Sequence, residues 1–86
     1  MDYIEARYTG RRRNNPLRKW REANGITRST VCAAIRVSQN TVVKWEQGSN
    51  IPNRINIERL AKFMGKSTKE LAIEWFEWLN EGKVSR

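Results

Sequence analysis

The stretch "TRSTVCAAIRVSQNTVVKWEQG", residues 27–48, decides the fold, because it contains two short helix patterns with almost nothing between them. Thr27 and Ser38 stand where N-capping hydroxyl residues begin a helix, and apolar residues then recur at helical spacing. Gly48 stands where a glycine commonly ends one. Only residues 36–38 separate the two patterns, so we expect the helices to cross steeply and share one small core.

The residue types at the expected crossing suit such a core. Cys32 is small enough for the point where the two backbones approach, and we interpret it as a core residue rather than a redox or metal site. The later helix keeps only Val42 and Trp45 for a buried side, so most of its surface is polar. The positions expected to face inward are Val31, Ala34, Ile35, Val37, Val42 and Trp45.

A further helix is predicted before this pair. Asn15 is a suitable N-cap, Pro16 suits a first helical position, and Gly25 suits the position just past a helix end. These signals predict a helix over residues 16–24. Its inward residues are expected to be Leu17, Trp20 and Ala23.

Two more helices are predicted after the pair. One covers about residues 54–64, and a capping box formed by Ser67 and Glu70 opens another over residues 68–80. Five helices joined by short connections predict an all-α domain. The inward residues of the fourth helix are expected to be Ile57, Leu60, Ala61 and Met64.

Length and composition limit the possible classes of protein. A chain of 86 residues has room for one small domain, expected over residues 16–80 with a tail over 81–86. One Cys and no His exclude an intramolecular disulfide, a zinc finger and His-based acid–base catalysis, and we expect no cofactor and no metal. We see no signal-peptide pattern and no apolar run of membrane-spanning length, which favours a cytoplasmic location without membrane association.

Positive charge is concentrated in the first two-thirds of the chain. The net charge is +8, and residues 7–54 carry eleven cations against two acids, Glu22 and Glu46. Such a concentration is expected where a protein meets a polyanion, although ribosomal and membrane-surface proteins are also basic. The distribution therefore favours nucleic acid as a partner.

Residues 1–15 are predicted to form an N-terminal basic arm. Residues 4–9 alternate in a way that fits either a short strand or a helical turn. The following basic run has nothing to bury, so we expect it to be mobile in the free protein. Its cations are Arg11, Arg12 and Arg13.

The segment "LRKWREANGITRSTVCAAIRVSQNTVVKWEQG", residues 17–48, resembles the Cro/phage-repressor (Xre-type, lambda-repressor-like) helix-turn-helix family, including the Trp-Glu-x-Gly ending. "IPNRINIERLAKFMGKSTKEL" continues the resemblance, which covers residues 17–70. It implies a five-helix lambda-repressor-like domain that binds double-stranded DNA.

Two positions depart from that family's pattern. Arg36 stands in the turn where the family usually has Gly, because the position tends to need a positive φ. Keeping that conformation with an arginine costs about 1 kcal/mol, unless the turn is rebuilt. Arg28 begins a helix that in the family often begins with Gln, which makes its exact contact harder to assign.

By this resemblance, the polar helix over residues 39–47 lies in the major groove with its N-terminal half toward the base edges. Gln39 and Asn40 can each form two hydrogen bonds with adenine, and Lys44 can donate to guanine. Val43 can contact a thymine methyl. The alternative is an ordinary solvated helix face.

Other residues are expected to contact phosphates or the minor groove. The N-terminus of the helix that starts near residue 28 is suited to a phosphate, and the basic arm resembles arms that enter a minor groove. The arm could instead add only nonspecific attraction. The expected contacts are Thr27, Arg28, Ser38, Thr41, Gln47, Ser49, Asn50, Arg54, Arg11, Arg12 and Arg13.

The last predicted helix carries more large apolar residues than we expect one small core to hold. A core of this size could absorb one tryptophan of this helix but hardly both together with Phe76, so we expect some of that surface to pack against a second copy in a homodimer. The alternative is a fully intramolecular core. The residues assigned to the interface are Trp75, Phe76, Trp78 and Leu79.

The resulting hypothesis is a dimeric, sequence-specific transcriptional regulator, a repressor or Cro-like switch protein of a bacterium or phage that binds a near-palindromic operator. One alternative is an antitoxin-type protein that binds a partner protein and regulates its own operon. Another is a phage recombination accessory protein. We expect no enzymatic activity, because the sequence offers no metal set and no Gly-rich phosphate loop.

Overall fold

A computed structural model describes residues 14–84, and within that range it is built from five helices without a strand. We number them in chain order: α1 Pro16–Ala23, α2 Arg28–Ile35, α3 Gln39–Gln47, α4 Arg54–Met64 and α5 Thr68–Val84. The predicted all-α fold is confirmed. Helix α1 ends one residue earlier than predicted, whereas α5 continues past its predicted end at residue 80. Of the predicted basic arm over residues 1–15, residues 1–13 lie outside the described residues.

The predicted caps are present at the helix starts. Each of the first four helices is preceded by a side chain that accepts a backbone N–H from its first turn, which typically contributes about 1 kcal/mol. Ser67 and Glu70 bond reciprocally before α5: Glu70 N donates to Ser67 Oγ at 3.1 Å, and Ser67 N donates to Glu70 Oε1 at 3.2 Å. The four capping residues are the predicted Asn15, Thr27 and Ser38, together with Asn53, which was not predicted.

The turn between α2 and α3 keeps the left-handed conformation despite its arginine. Arg36 has φ 69° and ψ 50°, and its N–H donates to Cys32 O at 2.7 Å. It is the one non-glycine residue with a positive φ among residues 14–84. The Arg59 guanidinium donates to Ile35 O at 3.3 Å, which satisfies a carbonyl at the end of α2. The turn is therefore retained at a conformational cost of about 1 kcal/mol and is not rebuilt.

The apolar core lies between α5, α4 and the crossing of α2 and α3. All four residues predicted to be buried on α4 are buried. Ala23 and Ala34, by contrast, are exposed, and Trp20 is half-buried with its ring edge-on to Phe63 at 5.5 Å between centroids. The inward faces of α1 and α2 are therefore narrower than their apolar pattern suggests.

The assignment of Trp75 and Trp78 to a dimer interface is wrong, because both are core residues of the monomer. Trp75 and Trp78 are each 2% exposed and pack edge to face, with ring centroids 5.9 Å apart. Both fit because α5 packs on α1 as well as on α4, so two helices supply the space for the two indoles. Of the predicted dimer interface, Phe76 remains 66% exposed and Leu79 half-buried.

Candidate nucleic-acid interface

The outward face of α3 is polar and accessible. Gln39, Asn40 and Lys44 are exposed along it, whereas Val42 and Trp45 on the opposite side are buried in the core. This division follows from helical spacing, because positions three apart point the same way. Val43 is half-buried at the edge of the face. The structure thus brings together the four residues predicted to contact bases.

Gln39 is held by a neighbour that the sequence reasoning missed. Its Nε2 donates to Ser29 Oγ at 2.6 Å, which joins the start of α3 to the first turn of α2. Both side chains are exposed. The steep crossing of the two helices brings these residues together, and no local sequence signal links positions ten residues apart.

A buried ion-pair cluster fixes α3 against α1 and α2. The Glu46 side chain is 2% exposed and accepts from Arg21 on α1, with Nε to Oε2 at 2.9 Å and Nη2 to Oε1 at 3.1 Å. Arg28 Nε donates to Glu46 Oε1 at 3.0 Å. A buried carboxylate with two guanidinium partners is compensated in charge and constrained in direction. The cluster therefore sets how α3 is presented.

The same cluster limits how accessible two of the cations are to a polyanion. Arg21 is buried and occupied by Glu46, so it does not belong to the surface that meets a polyanion. Arg28 has a 40% exposed side chain and donates to Glu46 through Nε, so it is only partly enclosed by the cluster. In the sequence, Glu46 stood out as part of the Trp-Glu-x-Gly ending, whereas nothing identified Arg21 as its partner.

Asn15 adds a second buried polar link to α3. Its Oδ1 accepts from Arg18 N at 2.9 Å as the N-cap of α1, and its Nδ2 donates to Trp45 O at 3.3 Å. The side chain is completely buried. One amide therefore caps α1 and holds the C-terminal end of α3 at the same time.

The residues predicted to contact phosphates differ in their exposure and in their hydrogen bonds. Ser38 Oγ lies 2.9 Å from Thr41 Oγ1, and Thr27 Oγ1 lies 3.1 Å from Thr30 Oγ1, so both caps sit in small hydroxyl pairs. Arg54 has an 89% exposed side chain and a weak ion pair with Glu58 at 3.6 Å. The remaining described candidates are Gln47 and Thr41, half-buried, with Ser49 and Asn50, exposed. Arg11, Arg12 and Arg13 lie outside the described residues.

Both acids within the basic region of residues 7–54 are paired with arginines. Glu46 is enclosed by its two arginines, and Glu22 accepts from Arg18 Nε at 2.8 Å. This hydrogen bond lowers the pKa of Glu22 below its ordinary value, because the arginine partner favours the ionised carboxylate. The exposed side of α3 carries the cation Lys44 and no carboxylate of its own. A phosphate backbone approaching this face would meet little repulsion.

Cys32 is packed beside the core, as interpreted from the sequence. Burial raises the pKa of its thiol, which makes thiolate chemistry unfavourable. Within residues 14–84, no group of three or more His, Cys, Asp or Glu side chains is arranged to hold a metal ion. None of the described helices is long and apolar enough to cross a membrane.

Comparison with known proteins places this geometry in a family. The sequence model of a helix-turn-helix family matches residues 17–71, which include α2, the turn and α3. A search of curated proteins and a search of solved structures each found no match. The matched region extends from α1 into the first turn of α5 and so contains both the outward face of α3 and the buried cluster behind it.

Proposed function

Because the chain belongs to the helix-turn-helix family of DNA-binding transcription regulators, we propose that it binds a specific double-stranded DNA sequence through the outward face of α3. It regulates transcription by occupying that site, as a repressor or a Cro-like switch protein. The observation that carries this proposal is the polar, accessible face of α3 held rigidly from behind by Val42, Trp45 and the Glu46 cluster.

The four predicted base-contacting residues have distinct roles. Gln39 and Asn40 each offer one donor and one acceptor, the pattern that an adenine edge complements in the major groove. Lys44 lies one turn further on and donates to guanine, although its point charge discriminates less sharply than an arginine. Val43 offers methyl groups to thymine. A good bidentate contact discriminates against the wrong base by about 1–3 kcal/mol.

Phosphate contacts orient the protein on the duplex. The free N–H groups at the start of α2 favour an anion, and Arg28 stands at that start with its Nε held by Glu46. Ser49, Asn50 and Arg54 extend the contacts beyond the end of α3. The basic arm reaches the adjacent minor groove through Arg11, Arg12 and Arg13.

A homodimer would allow the protein to recognise a near-palindromic operator. One short helix reads few base pairs, and two copies would address half-sites about one helical turn apart. Phe76 and Ile73 supply the contact surface on α5, since they are 66% and 49% exposed, with Leu79 half-buried beside them. Trp75 and Trp78 support this surface from inside the monomer.

The dimer surface can be located by sedimentation. Phe76→Glu is expected to convert a dimer to a monomer while leaving the helix content unchanged, because Phe76 contributes little to the monomer core. Ile55→Glu is the matched control, since Ile55 is 58% exposed at the start of α4. A monomeric Ile55→Glu with a dimeric Phe76→Glu would assign the interface to α4 instead.

The same exposed apolar residues favour a second candidate, an antitoxin-type protein that binds a protein partner and also regulates its own operon. A partner that covers Phe76 would satisfy the exposed ring as well as a second copy would. Expression with the neighbouring open reading frames, followed by purification, distinguishes the two. Stoichiometric recovery of one small protein, lost in Phe76→Glu, would favour the partner.

The DNA-binding proposal is tested by selecting bound duplexes from a random pool. We expect a two-fold-symmetric sequence, with Gln39→Ala and Asn40→Ala each relaxing one position and Arg12→Ala weakening binding to all sequences alike. Affinity should fall steeply with salt, as phosphate neutralisation requires. Lys44→Ala should relax the position assigned to guanine. Lys62→Ala is its charge-matched control, since Lys62 is exposed on α4 and lies outside the proposed interface. Failure of the wild-type protein to retard any duplex at modest ionic strength would overturn the proposal.

A further inference from the structure

A groove of about 520 Å³ lies between α1 and α5. Its wall on α5 carries Glu74, Glu77 and Glu81, which recur at helical spacing and therefore lie on one side of that helix. Its wall on α1 includes the half-buried Trp20. The residues of α3 take no part in lining it within the described range 14–84, so the groove is separate from the proposed DNA-binding face.

The groove is acidic, although the protein as a whole is basic. Of its three glutamates, Glu74 accepts from Lys66 Nζ at 2.8 Å. Glu77 and Glu81 are exposed, and neither forms an ion pair with another residue of the described range. With Lys19 the groove holds three acids and two cations, a charge of −1, in a chain whose net charge is +8. Two unpaired carboxylates near an indole suit a guanidinium, which forms ion pairs and stacks on aromatic rings.

The chain supplies guanidinium groups directly beside this groove. Asn14 lines the groove, and the three arginines at residues 11–13 immediately precede it in the sequence. Three extended residues span about 10 Å. The α5 wall from Glu74 to Glu81 is also about 10 Å long, at a rise of about 1.5 Å per residue. The arginine run therefore matches the acidic wall in length as well as in charge.

The same point of the chain also lies next to α3. Asn15 follows Asn14, and its Nδ2 donates to Trp45 O at 3.3 Å, in the C-terminal half of α3. The basic arm therefore joins the domain between the groove and the helix proposed to bind DNA. One guanidinium cannot pair with a groove carboxylate and a DNA phosphate at the same time, so the two sites compete for the arm.

We propose that the groove between α1 and α5 holds the arginines of residues 11–13 while the protein is free of DNA, and that DNA binding releases them. The release rests on the DNA-binding function proposed above, whereas the docking does not. The arginines pair with Glu77 and Glu81, and one stacks on Trp20. The sequence offered the arm no apolar surface to bury, and the groove offers it charge instead.

The groove then acts as an internal competitor of DNA. The apparent affinity for DNA is reduced by the fraction of molecules in which the arm is docked. Because contacts of the arm with phosphates carry no sequence information, this reduction applies to every duplex alike. The groove thus sets how tightly the protein binds without changing which sequence it prefers.

Docking is tested without DNA by paramagnetic NMR on the full chain. A nitroxide is attached to Thr9→Cys in a Cys32→Ala background, which keeps the three arginines and leaves a single thiol. The amide signals of Glu77 and Glu81 should be broadened much more than that of Asn40 on the outward face of α3. About 1 M salt should remove this difference, since the screening length falls to about 3 Å. Equal broadening at both places, or none, would overturn the docking.

A mixing experiment identifies whose arm is docked. Nitroxide-labelled chains without isotope enrichment are mixed with isotope-enriched chains that carry no nitroxide. We expect the signals of Glu77 and Glu81 to stay sharp in this mixture, because each arm occupies the groove of its own chain. Broadening in the mixture would assign the groove to the arm of a second copy and would refute the proposal.

The competition is tested by removing the two unpaired charges while keeping the side-chain size. The double variant Glu77→Gln, Glu81→Gln should bind the selected duplex and a random duplex more tightly, each by about two- to fivefold, the range that an exposed ion pair contributes. Glu22→Gln is the matched control, because Glu22 is an exposed acid on α1 outside the groove. It measures the general effect of removing one negative charge from the protein, and the gain per charge in the groove should exceed it.

A second background makes the gain specific to the arm. When Arg11→Ala, Arg12→Ala and Arg13→Ala are combined, the groove substitutions should give no more than the gain of Glu22→Gln, because the competitor has lost its ligand. An undiminished gain in this background would refute the competition.

The DNA-free and DNA-bound measurements fail separately. If the wild-type protein retards no duplex but the broadening is confined to the groove, the DNA-binding proposal fails and the docking stands. If the wild-type protein selects a sequence but the groove signals stay sharp, the docking is refuted and the DNA-binding proposal stands.

Discussion

The junction of α1, α2 and α3 buries polar side chains beside its apolar ones, whereas the buried side chains of α4 and α5 are apolar. In the junction, Asn15 and Glu46 are almost completely buried and bonded across helices, together with Arg21. On α4 and α5, the fully buried side chains are Leu60, Leu71, Trp75 and Trp78. The two halves belong to one small domain, yet only the first combines buried hydrogen bonds between side chains with apolar packing.

The difference follows from what each half has to do. Apolar burial is proportional to area and has no direction, so it stabilises without defining an orientation to a fraction of an ångström. Hydrogen bonds to a carboxylate define both distance and angle. The outward face of α3 is therefore attached through directional bonds of Glu46 and Asn15, while α4 and α5 contribute apolar burial.

The strongest way to break this contrast is to remove the buried carboxylate. Glu46→Ala leaves Arg21 buried without a counter-charge and should lower the free energy of unfolding by about 3–5 kcal/mol. Urea unfolding followed by circular dichroism measures the change. Glu22→Gln is the matched control, because Glu22 is an exposed acid paired with an arginine, and it should leave the unfolding midpoint unchanged. Equal midpoints for Glu46→Ala and the wild-type protein would show that the cluster is not required for stability.

Asn15→Ala tests the second polar link. It removes the cap of α1 and leaves the Trp45 carbonyl without its donor, which together should cost about 2–3 kcal/mol. Asn53→Ala is the comparison, since Asn53 is exposed and its side chain caps α4 by accepting from Asn56 N, so the cost should be about 1 kcal/mol. Thermal unfolding of both variants measures the difference. If the two cost the same, the bond from Asn15 to α3 contributes nothing beyond the cap.

Trp75→Phe tests the apolar half with a smaller expected effect. The indole Nε1 of Trp75 is buried without a hydrogen-bond partner among the described residues. Phenylalanine loses packing area but also removes that unsatisfied N–H, so the net loss should be about 1–2 kcal/mol. Chemical unfolding gives the value, and Phe76→Leu on the exposed side should change it little. A loss as large as that of Glu46→Ala would mean that the apolar half tolerates change no better than the polar one.

Arg36→Gly carries the smallest effect, and its sign is opposite. Glycine adopts φ 69° without a Cβ clash, so the variant should be more stable by up to about 1 kcal/mol. Differential scanning calorimetry should record a rise of a few degrees in the midpoint. Arg36→Ala is the control, because it removes the charge and retains the Cβ. A decrease in stability for Arg36→Gly would assign a stabilising contact to the arginine side chain.

Short-range sequence signals predicted well where the helices of this chain begin. Asn15, Thr27 and Ser38 cap α1, α2 and α3 as predicted, because a capping side chain bonds to an N–H three residues away and needs no tertiary partner. Asn53, which caps α4, was not predicted. The buried side of α3 was predictable for the same reason, since Val42 and Trp45 follow helical spacing. The four predicted base-contacting residues were assigned by the resemblance to the helix-turn-helix family, and helical spacing shows only that they lie away from that buried side.

Contacts between distant positions were less predictable. Ala34 was taken as inward from spacing alone, but it is exposed because α2 buries only one narrow side. Phe76 and the two tryptophans of α5 were treated as one apolar set, and the packing of α5 on both α1 and α4 divided them. Whether an apolar residue is buried depends on which helices lie opposite, and a one-dimensional pattern does not contain that information.

The amino-acid sequence by itself determined the helices, their caps, the short turn that forces two of them to cross, and the polar character of α3. These depend on residues within one helical turn of each other, where backbone geometry fixes every relevant distance. Only the tertiary structure decided that Arg21 encloses Glu46, that α5 buries both tryptophans, and that Ser29 holds Gln39. Each of these pairings joins different helices, so its existence depends on crossing angles that arise when the whole core closes.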